Sequence, residues 1–149
     1  MGFYGNYFNE VSVNSKLDKE FNSKEHLELD SFKSVRITKT QIDKYKELKH
    51  CKSENCEGFI WLDGDKVICY VNVETKDNDE KWIQALEVMK DYQGKGIANQ
   101  LLYVATSNLG ARYLSVNKKN EIAIKLYKDY GFKIYDETDI MYFMKLGRW

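Results

Sequence analysis

Apolar and polar residues alternate along several short segments of the chain, and each of these segments predicts a β-strand. Residues 32–38, FKSVRIT, alternate with period two, and GFIWL and KVICYVNVE flank the turn sequence Asp63-Gly64-Asp65. A glycine at the centre of so short a turn favours a β-hairpin. The pattern therefore predicts a first strand followed by an antiparallel hairpin, and WIQALEVM, YLSVN, FKIY and IMYFMKL predict four further strands.

Helical spacing replaces the alternation in three places. QIDKYKELKHC, at residues 41–51, places its apolar residues on one face, and ANQLLYVATSNL does the same before Gly110. NEIAIKLYKDY is the third such segment and precedes Gly131. A glycine directly after a helical pattern is a common end of a helix. Strands and helices in this order predict an α/β domain with a mixed sheet, or equally an α+β domain.

The length of the chain favours a single domain. It has 149 residues, 43% of them hydrophobic, which suffices for one domain with a core but not for two. Residues 1–30 are polar and weakly patterned, so we expect an N-terminal extension followed by one domain over residues 31–149. We find neither a secretory leader nor an apolar stretch near the roughly 18 residues of a membrane span. The sequence predicts a soluble, cytoplasmic protein without a membrane partner.

Charge is balanced overall but unevenly placed. Lysine plus arginine equals aspartate plus glutamate, 23 against 23, so no net field attracts nucleic acid. Residues 41–88 carry seven lysines against eleven acidic residues, whereas residues 89–133 carry eight basic residues against three acidic ones. The second region is therefore suited to an anionic ligand and the first to a cationic one.

The cysteines predict neither disulfides nor a metal site. Cys51, Cys56 and Cys69 are an odd number without a secretory context, which favours free thiols in a reducing compartment. His50 lies beside the first of them, but no fourth ligand stands at a suitable spacing, so no metal is expected.

The sequence QGKGIA, residues 93–98, lies where the strand WIQALEVM gives way to a helix. The start of a helix leaves N–H groups unpaired and exposes the positive end of its dipole, and glycines let an anion approach the backbone. Lys95 adds a positive charge, so the segment predicts a pyrophosphate site, with a simple tight turn as the alternative. The dinucleotide fingerprint requires glycine or alanine where this chain has Asn99, and the Walker loop requires serine or threonine where it has Gly96.

A second motif follows the strand YLSVN, where residues 120–132 read N-x-x-A-x-x-L-Y-x-x-x-G-F. Together with QGKGIA, it resembles the GNAT superfamily of acyl-CoA-dependent N-acyltransferases, whose Gln/Arg-x-x-Gly-x-Gly/Ala signature is matched at Gln93, Gly96 and Ala98. The second motif is matched at Asn120, Ala123, Leu126, Tyr127, Gly131 and Phe132.

The resemblance implies a GNAT-like acetyltransferase fold, with a mostly antiparallel central sheet that is flanked by helices and splays open between its fourth and fifth strands. Acetyl-CoA would lie in this gap as the cosubstrate, with its pantetheine arm on the backbone of Leu86 and Val88. Asn120 occupies a position that commonly touches the coenzyme, but an asparagine that opens a helix is equally an ordinary N-cap. The pyrophosphate would lie on the glycine loop, residues 94–99, whose members are Gly94, Lys95, Gly96, Ile97, Ala98 and Asn99. Gln93, directly before this loop, is a further candidate for coenzyme binding.

The same resemblance assigns catalytic roles. Tyr127 would be the general acid, since a phenol with a pKa of about 10 stays protonated at neutral pH, although a core role on an apolar helical stripe is the alternative. The N–H of Val88 would stabilise the oxyanion. Glu87 and Glu80 are both candidates for the base, with an exposed carboxylate as the alternative for each. Some members carry this glutamate on the next strand, where the present chain has Ser115.

Together, these expectations predict an N-acetyltransferase, which transfers an acetyl group from acetyl-CoA to a primary amine of a small molecule, a polyamine or a protein. Direct attack in a ternary complex is expected, because neither motif contains a cysteine. The acidic first region favours a cationic acceptor. Too few residues separate the first predicted helix from GFIWL for the family's usual second helix, so the acceptor pocket is either open or completed by residues 1–30.

Two other interpretations stay open. In the first, the chain is a coenzyme-A-binding regulatory or accessory module without turnover. In the second, it is a scaffold whose aromatic residues near the N-terminus mediate assembly. Neither nucleic acid nor a membrane is an expected partner, and assembly as a homodimer is left open.

Overall fold

The computed structural model describes residues 26–38, 45, 48 and 55–147, and the structural statements below concern these residues. Within them the chain forms a seven-stranded sheet and two helices. The first of these helices continues as a π-helical turn over Val104–Asn108, and a 3₁₀ turn, Lys90–Tyr92, precedes it. In chain order the elements are β1 (Lys33–Ile37), β2 (Cys56–Asp63), β3 (Lys66–Thr75), β4 (Lys81–Val88), α1 (Ile97–Tyr103), β5 (Tyr113–Asn117), α2 (Glu121–Tyr130), β6 (Phe132–Glu137) and β7 (Met141–Leu146).

The sheet is mixed and mostly antiparallel, as the resemblance implied. Its strand order is β1-β2-β3-β4-β5-β7-β6, and only the β4–β5 pair is parallel in this described part. The predicted hairpin is confirmed, since Asp63 of β2 pairs with Lys66 of β3 and Gly64 between them has a φ of 64°. The predicted strand YLSVN and the predicted helix before Gly131 are also confirmed.

The sheet opens between its fourth and fifth strands. β4 pairs with β3 along its whole length, but its described register with β5 consists of one pair, Trp82 with Tyr113. Both residues lie near the start of their strands, so the two parallel strands separate toward their carboxyl ends. The gap therefore has a closed end at Trp82 and an open end at Val88. This confirms the expected splay between the fourth and fifth strands.

Side chains of the sheet alternate between two faces, each with its own buried cluster. One face, called the helix face here, packs against α1 and α2, and the other is called the second face. On the second face, Leu48 is fully buried in a cluster with neighbours from β1 to β4. The other predicted residues of the helix at 41–51 lie outside the described residues, apart from Tyr45. Buried residues of the helix face include Leu86, Val88, Leu101, Leu102, Leu114, Val116, Ala123 and Tyr127.

A β-bulge at Gln84 interrupts the alternation in β4. Asn72 of β3 pairs with Ala85, and the next residue, Val73, pairs with Ile83, so Gln84 is the extra residue of the bulged strand. The side chains before the bulge therefore project from the face opposite to the one that strict alternation along the strand would predict. As a result, residues 80 and 82 project from the same face as residues 85 and 87, the second face.

The segment before β1 packs on the glycine loop and on α1. Leu29 is buried in the core of the helix face, and the N–H of Leu27 donates a 2.9 Å hydrogen bond to the carbonyl oxygen of Lys95.

The division into an extension over residues 1–30 and a domain over residues 31–149 stays a prediction. In the described part of the chain, no helix combines the length and the hydropathy that a membrane span needs.

Candidate active site

Hydrogen bonds at the end of β4 orient the backbone groups of its last residue, Val88, toward the gap. The N–H of Met89 donates to the carbonyl oxygen of Ile68 in β3, at 2.8 Å. Because successive N–H groups of a strand point to opposite sides, the N–H of Val88 points away from β3 and toward the gap. The carbonyl of Val88 lies on that side too, where it accepts a 2.8 Å hydrogen bond from Nε2 of Gln93. Gln93 thus fixes the backbone at the mouth of the gap.

The glycine loop contains two positions whose backbone angles residues other than glycine rarely adopt. Gly94 and Gly96 have φ angles of 77° and 79°, in the left-handed region that favours glycine. A Cβ atom at Gly96 would also overlap the imidazole of His26. Ile97 and Ala98 are buried, so they can offer only backbone groups to a ligand. Of the other two loop residues, Lys95 is half-buried and Asn99 exposed.

Gln100, which the sequence analysis did not single out, joins this loop to the segment before β1. Its Nε2 donates to the carbonyl oxygen of Leu27 at 2.6 Å, and its Oε1 accepts from the N–H of Leu29 at 2.8 Å. The same Nε2 lies 3.2 Å from the carbonyl oxygen of Gly96. Leu27 and Leu29 are more than 70 positions from Gln100 along the chain, so no local pattern could have indicated these two contacts. Gln100 therefore links Gly96 of the glycine loop to the segment that precedes β1.

Asn120 caps α2, and this part of its prediction is confirmed. Its Oδ1 accepts a 3.2 Å hydrogen bond from the N–H of Ala123. Its Nδ2 is buried and has no hydrogen-bond partner among the described residues. A buried donor without a partner is costly, and a ligand oxygen would satisfy it. The predicted contact with the coenzyme is compatible with this geometry and stays a prediction.

Tyr127 lies on α2 and is fully buried on the helix face. Its ring packs edge to face against Phe132, with 6.1 Å between the ring centroids. Burial raises the pKa of its phenol well above the ordinary value, because ionisation would place a charge in an apolar environment. The side chain therefore keeps its proton at neutral pH, as a general acid must before it acts.

Glu87 projects from the second face near the open end of the gap. It pairs with Tyr70 of β3, whose hydroxyl donates a 2.7 Å hydrogen bond to its Oε1. The carboxylate is half-buried and is held in a defined orientation. Glu87 and Tyr127 therefore stand on opposite faces of the sheet, with the gap between β4 and β5 between them.

Glu80, the second candidate base, lies at the other end of β4. Its carboxylate accepts a 3.2 Å hydrogen bond from Nε1 of Trp82, at the closed end of the gap. With about 3.3 Å per residue and one residue taken up by the bulge, roughly 20 Å of strand separates Glu80 from Glu87. The two carboxylates share a face but do not meet. Ser115, where some family members carry a glutamate, is buried on β5.

Comparison with known proteins identifies the family. The family model described as the acetyltransferase (GNAT) family matches residues 21–132. The chain is similar to a probable spermine N(1)-acetyltransferase of Bacillus subtilis subsp. natto (strain BEST195), with 27% identity over 126 residues, 76% of this chain and 80% of the relative.

Two solved structures are also similar. One is a GNAT family acetyltransferase from Elizabethkingia anophelis with acetyl-CoA bound, at 19% identity, a TM-score of 0.56 and coverage of 78% of this chain and 99% of that one. The other is PH1933 from Pyrococcus horikoshii OT3, at 26% identity, a TM-score of 0.53 and coverage of 61% and 64%. Since the family model matches well over half of its residues, this chain belongs to the GNAT family of acetyltransferases and is an acyl-CoA-dependent N-acetyltransferase.

Proposed function

We propose that the protein acetylates a primary amine of a linear polyamine, with acetyl-CoA as the donor and with direct attack of the amine on the thioester. The placement of Glu87 and Tyr127 on opposite faces of the gap is the observation that carries this proposal. A thioester held between β4 and β5 would meet a base from the second face and an acid from the helix face. Acetyl transfer to an amine uses a base for the ammonium proton and an acid for the departing thiolate.

Acetyl-CoA would bind along the gap and the glycine loop. Its pantetheine amides would pair with the backbone of Leu86 and Val88, which has no β5 partner in the described register. Its pyrophosphate would lie on the N–H groups of the glycine loop, residues 94–99, beside the charge of Lys95. The buried Nδ2 of Asn120 supplies one further donor on the β5 side of the gap.

Each catalytic step would use a group already described. Glu87 would take a proton from the acceptor ammonium, and the neutral amine would attack the carbonyl carbon. As the C–N bond forms, the N–H of Val88 would stabilise the negative charge on the oxygen. The C–S bond then breaks, and Tyr127 would donate its proton to the departing thiolate. The nitrogen would lose its second proton to the Tyr127 phenolate through water, and Glu87 would release the first proton to solvent, so that both groups return to their starting states.

A covalent cysteine intermediate is disfavoured by the two cysteines that the structure describes. Cys69 pairs with Val88 across the sheet and so lies beside the site. Burial raises the pKa of its thiol far above the ordinary value, so the reactive thiolate does not form at neutral pH. Cys56 is buried on the second face, where its Sγ lies 2.6 Å from Oε1 of Gln84. Direct attack in a ternary complex is the simpler route.

Charge supports a cationic acceptor. The region 41–88, which contributes β2 to β4, carries four more acidic than basic residues. Glu87 and Glu74 both lie on the second face, from which the acceptor would approach. The similar Bacillus subtilis protein is named for spermine, a linear polyamine.

Steady-state kinetics test the proposal. Purified protein is mixed with acetyl-CoA and a panel of spermidine, spermine, lysine peptides and simple monoamines, while released coenzyme A thiol is measured. We expect kcat/KM to be highest for a polyamine, and Glu87→Gln to lower kcat about 100-fold. Preference for a lysine peptide or a monoamine would overturn the acceptor class. Stabilisation by acetyl-CoA without turnover of any amine would favour the coenzyme-binding module instead.

A further inference from the structure

Aromatic side chains line the closed end of the gap on the second face. The rings of Trp82 and Tyr113 are stacked, with 5.2 Å between their centroids and 19° between their planes. Phe143 of β7 packs edge-on against Trp82 at 6.1 Å, and Tyr135 of β6 packs edge-on against Tyr113 at 6.0 Å. Trp82, Tyr113 and Phe143 are half-buried and Tyr135 is exposed, so their surfaces are accessible to a ligand.

Two carboxylates border these rings. Glu80 accepts a hydrogen bond from the indole of Trp82, at 3.2 Å. Burial and then the negative charge of Glu80 raise the pKa values of Tyr113 and Tyr135. Glu74 pairs with Trp82 across the β3–β4 ladder and so projects beside the same ring. A carboxylate next to an accessible aromatic face is a favourable environment for an alkylammonium group.

The chain itself already places ammonium groups on this surface. Nζ of Lys76 lies 3.0 Å from Oε1 of Glu74 and 5.8 Å from the centroid of the Trp82 ring. Nζ of Lys145 lies 5.7 Å from the centroid of the Tyr113 ring. Lys76 is 45% exposed and held by a single carboxylate contact, so a ligand ammonium can replace it.

The bulge at Gln84 aligns this surface with Glu87. Because the bulge adds one residue between them, Trp82 and Glu87 project from the same face of the sheet. Four strand steps, about 13 Å, separate the two residues. Carboxylates therefore lie at both ends of this row, with Glu74 and Glu80 beside Trp82 and with Glu87 near the open end of the gap.

We infer that Trp82, Tyr113, Glu74 and Glu80 form a distal ammonium site, which holds the far end of a linear polyamine while its near amine reaches Glu87. Lys76 occupies this site when no acceptor is bound. The inference rests on the proposed function and deepens it, because it makes the enzyme selective for acceptors with a second ammonium group about 13 Å from the reacting one. Glu80 then acts as a specificity residue and not as the base.

The first experiment is a comparison of kcat/KM for spermine and for butylamine, measured with the same protein. We expect Glu80→Gln to lower the ratio of spermine to butylamine about fivefold to tenfold, since it removes an attraction that only spermine has. Lys76→Ala should raise the same ratio, because it removes the competing ammonium. Glu57→Gln is the matched control, since Glu57 pairs with Arg36 at the surface of β2 and should not change the ratio.

Two results would overturn the inference. Equal losses for both amines in Glu80→Gln would assign this residue to the reaction itself, and unchanged kcat/KM values for both amines would show that it does not contact the acceptor. A calorimetric titration of spermine into the wild type and Glu80→Gln distinguishes this inference from the proposed function. Weaker binding to the variant supports the distal site even if no amine is acetylated, and equal binding contradicts it even if turnover is rapid.

Discussion

The hydroxyl of Tyr70 lies 2.7 Å from a carboxylate oxygen of Glu87, across the pair that joins β3 to β4. Tyr70 is fully buried on the second face, so its hydroxyl has a fixed position from which it holds the carboxylate. A general base must be oriented toward the proton that it removes. Tyr70 is therefore a positioning residue for the proposed base.

Replacement of Tyr70 by phenylalanine tests this role. The ring and its packing remain, but the hydrogen bond to Glu87 is lost, so we expect kcat to fall severalfold, less than the roughly 100-fold expected for Glu87→Gln. The KM for acetyl-CoA should stay the same, because the proposed position of the coenzyme, on the backbone of β4 and on the glycine loop, does not include this pair. Full activity in Tyr70→Phe would show that the carboxylate needs no support, and a raised KM for acetyl-CoA would point to a general disturbance of the sheet.

Tyr127→Phe should separate catalysis from coenzyme binding. If Tyr127 donates the proton to the leaving thiolate, kcat should fall about 100-fold while the dissociation constant of coenzyme A stays within about twofold. Tyr130→Phe is a matched control, because it removes another hydroxyl from α2, one that lies 2.9 Å from Oγ1 of Thr106. Pre-steady-state thiol release and coenzyme titration give the two quantities. Equal kcat values for the two variants would remove Tyr127 from the mechanism.

The glycine loop gives a third prediction, which uses two glycines with similar backbone angles. Gly64 and Gly96 have φ angles of 64° and 79°, so alanine at either should cost about 1–2 kcal/mol of unfolding free energy. A Cβ at Gly64 meets nothing within 4 Å, whereas a Cβ at Gly96 overlaps His26. We therefore expect Gly96→Ala alone to raise the KM for acetyl-CoA, by about tenfold or more. A matching rise in Gly64→Ala would mean that backbone strain, and not the loop, is responsible.

Alkaline pH should destabilise the fold through Tyr127. Its pKa is raised in the folded protein by burial, so above about pH 10 the unfolded chain loses a proton that the folded chain keeps. The stability that this difference represents is intact below pH 10 and is lost as pH rises, with a slope of about 1.4 kcal/mol per pH unit for each such group.

Urea unfolding between pH 9 and 11.5 measures this slope. Tyr127→Phe should reduce the slope by one such group. Tyr103→Phe, at a residue 61% exposed, is the control for removal of a surface hydroxyl. An identical slope in the wild type and Tyr127→Phe would show that the phenol ionises as readily in the folded state as in the unfolded one.

Local patterns were sufficient to predict most elements of the fold. Gly64 and Gly131 mark where the chain turns or a helix ends, and the alternation of YLSVN and FKIY needs no distant partner to be recognised. The motif also placed Tyr127 and Asn120 on the same helix, as observed. These features depend on contacts within a few residues, which a sequence displays directly.

The remaining features depend on contacts between distant segments. The bulge at Gln84 carries no glycine or proline to mark it, so the strand WIQALEVM did not reveal that Glu80 and Glu87 share a face. The hydrogen bond from Tyr70 depends on the register of two strands, and the contact of His26 with Gly96 joins segments 70 residues apart. Register and long-range packing are set by the whole core, so sequence alone did not provide them.

The single pair that joins β4 to β5 also has a consequence for solubility. Beyond Trp82, β4 presents backbone groups to the gap that no neighbouring strand engages in the described register. This is a sheet edge inside the molecule, and an uncovered edge is a template on which another extended chain can add itself. A bound pantetheine arm, with its two amides, would cover the edge as a short strand would. Cellular coenzyme would then protect the enzyme from aggregation as well as supply its acetyl group.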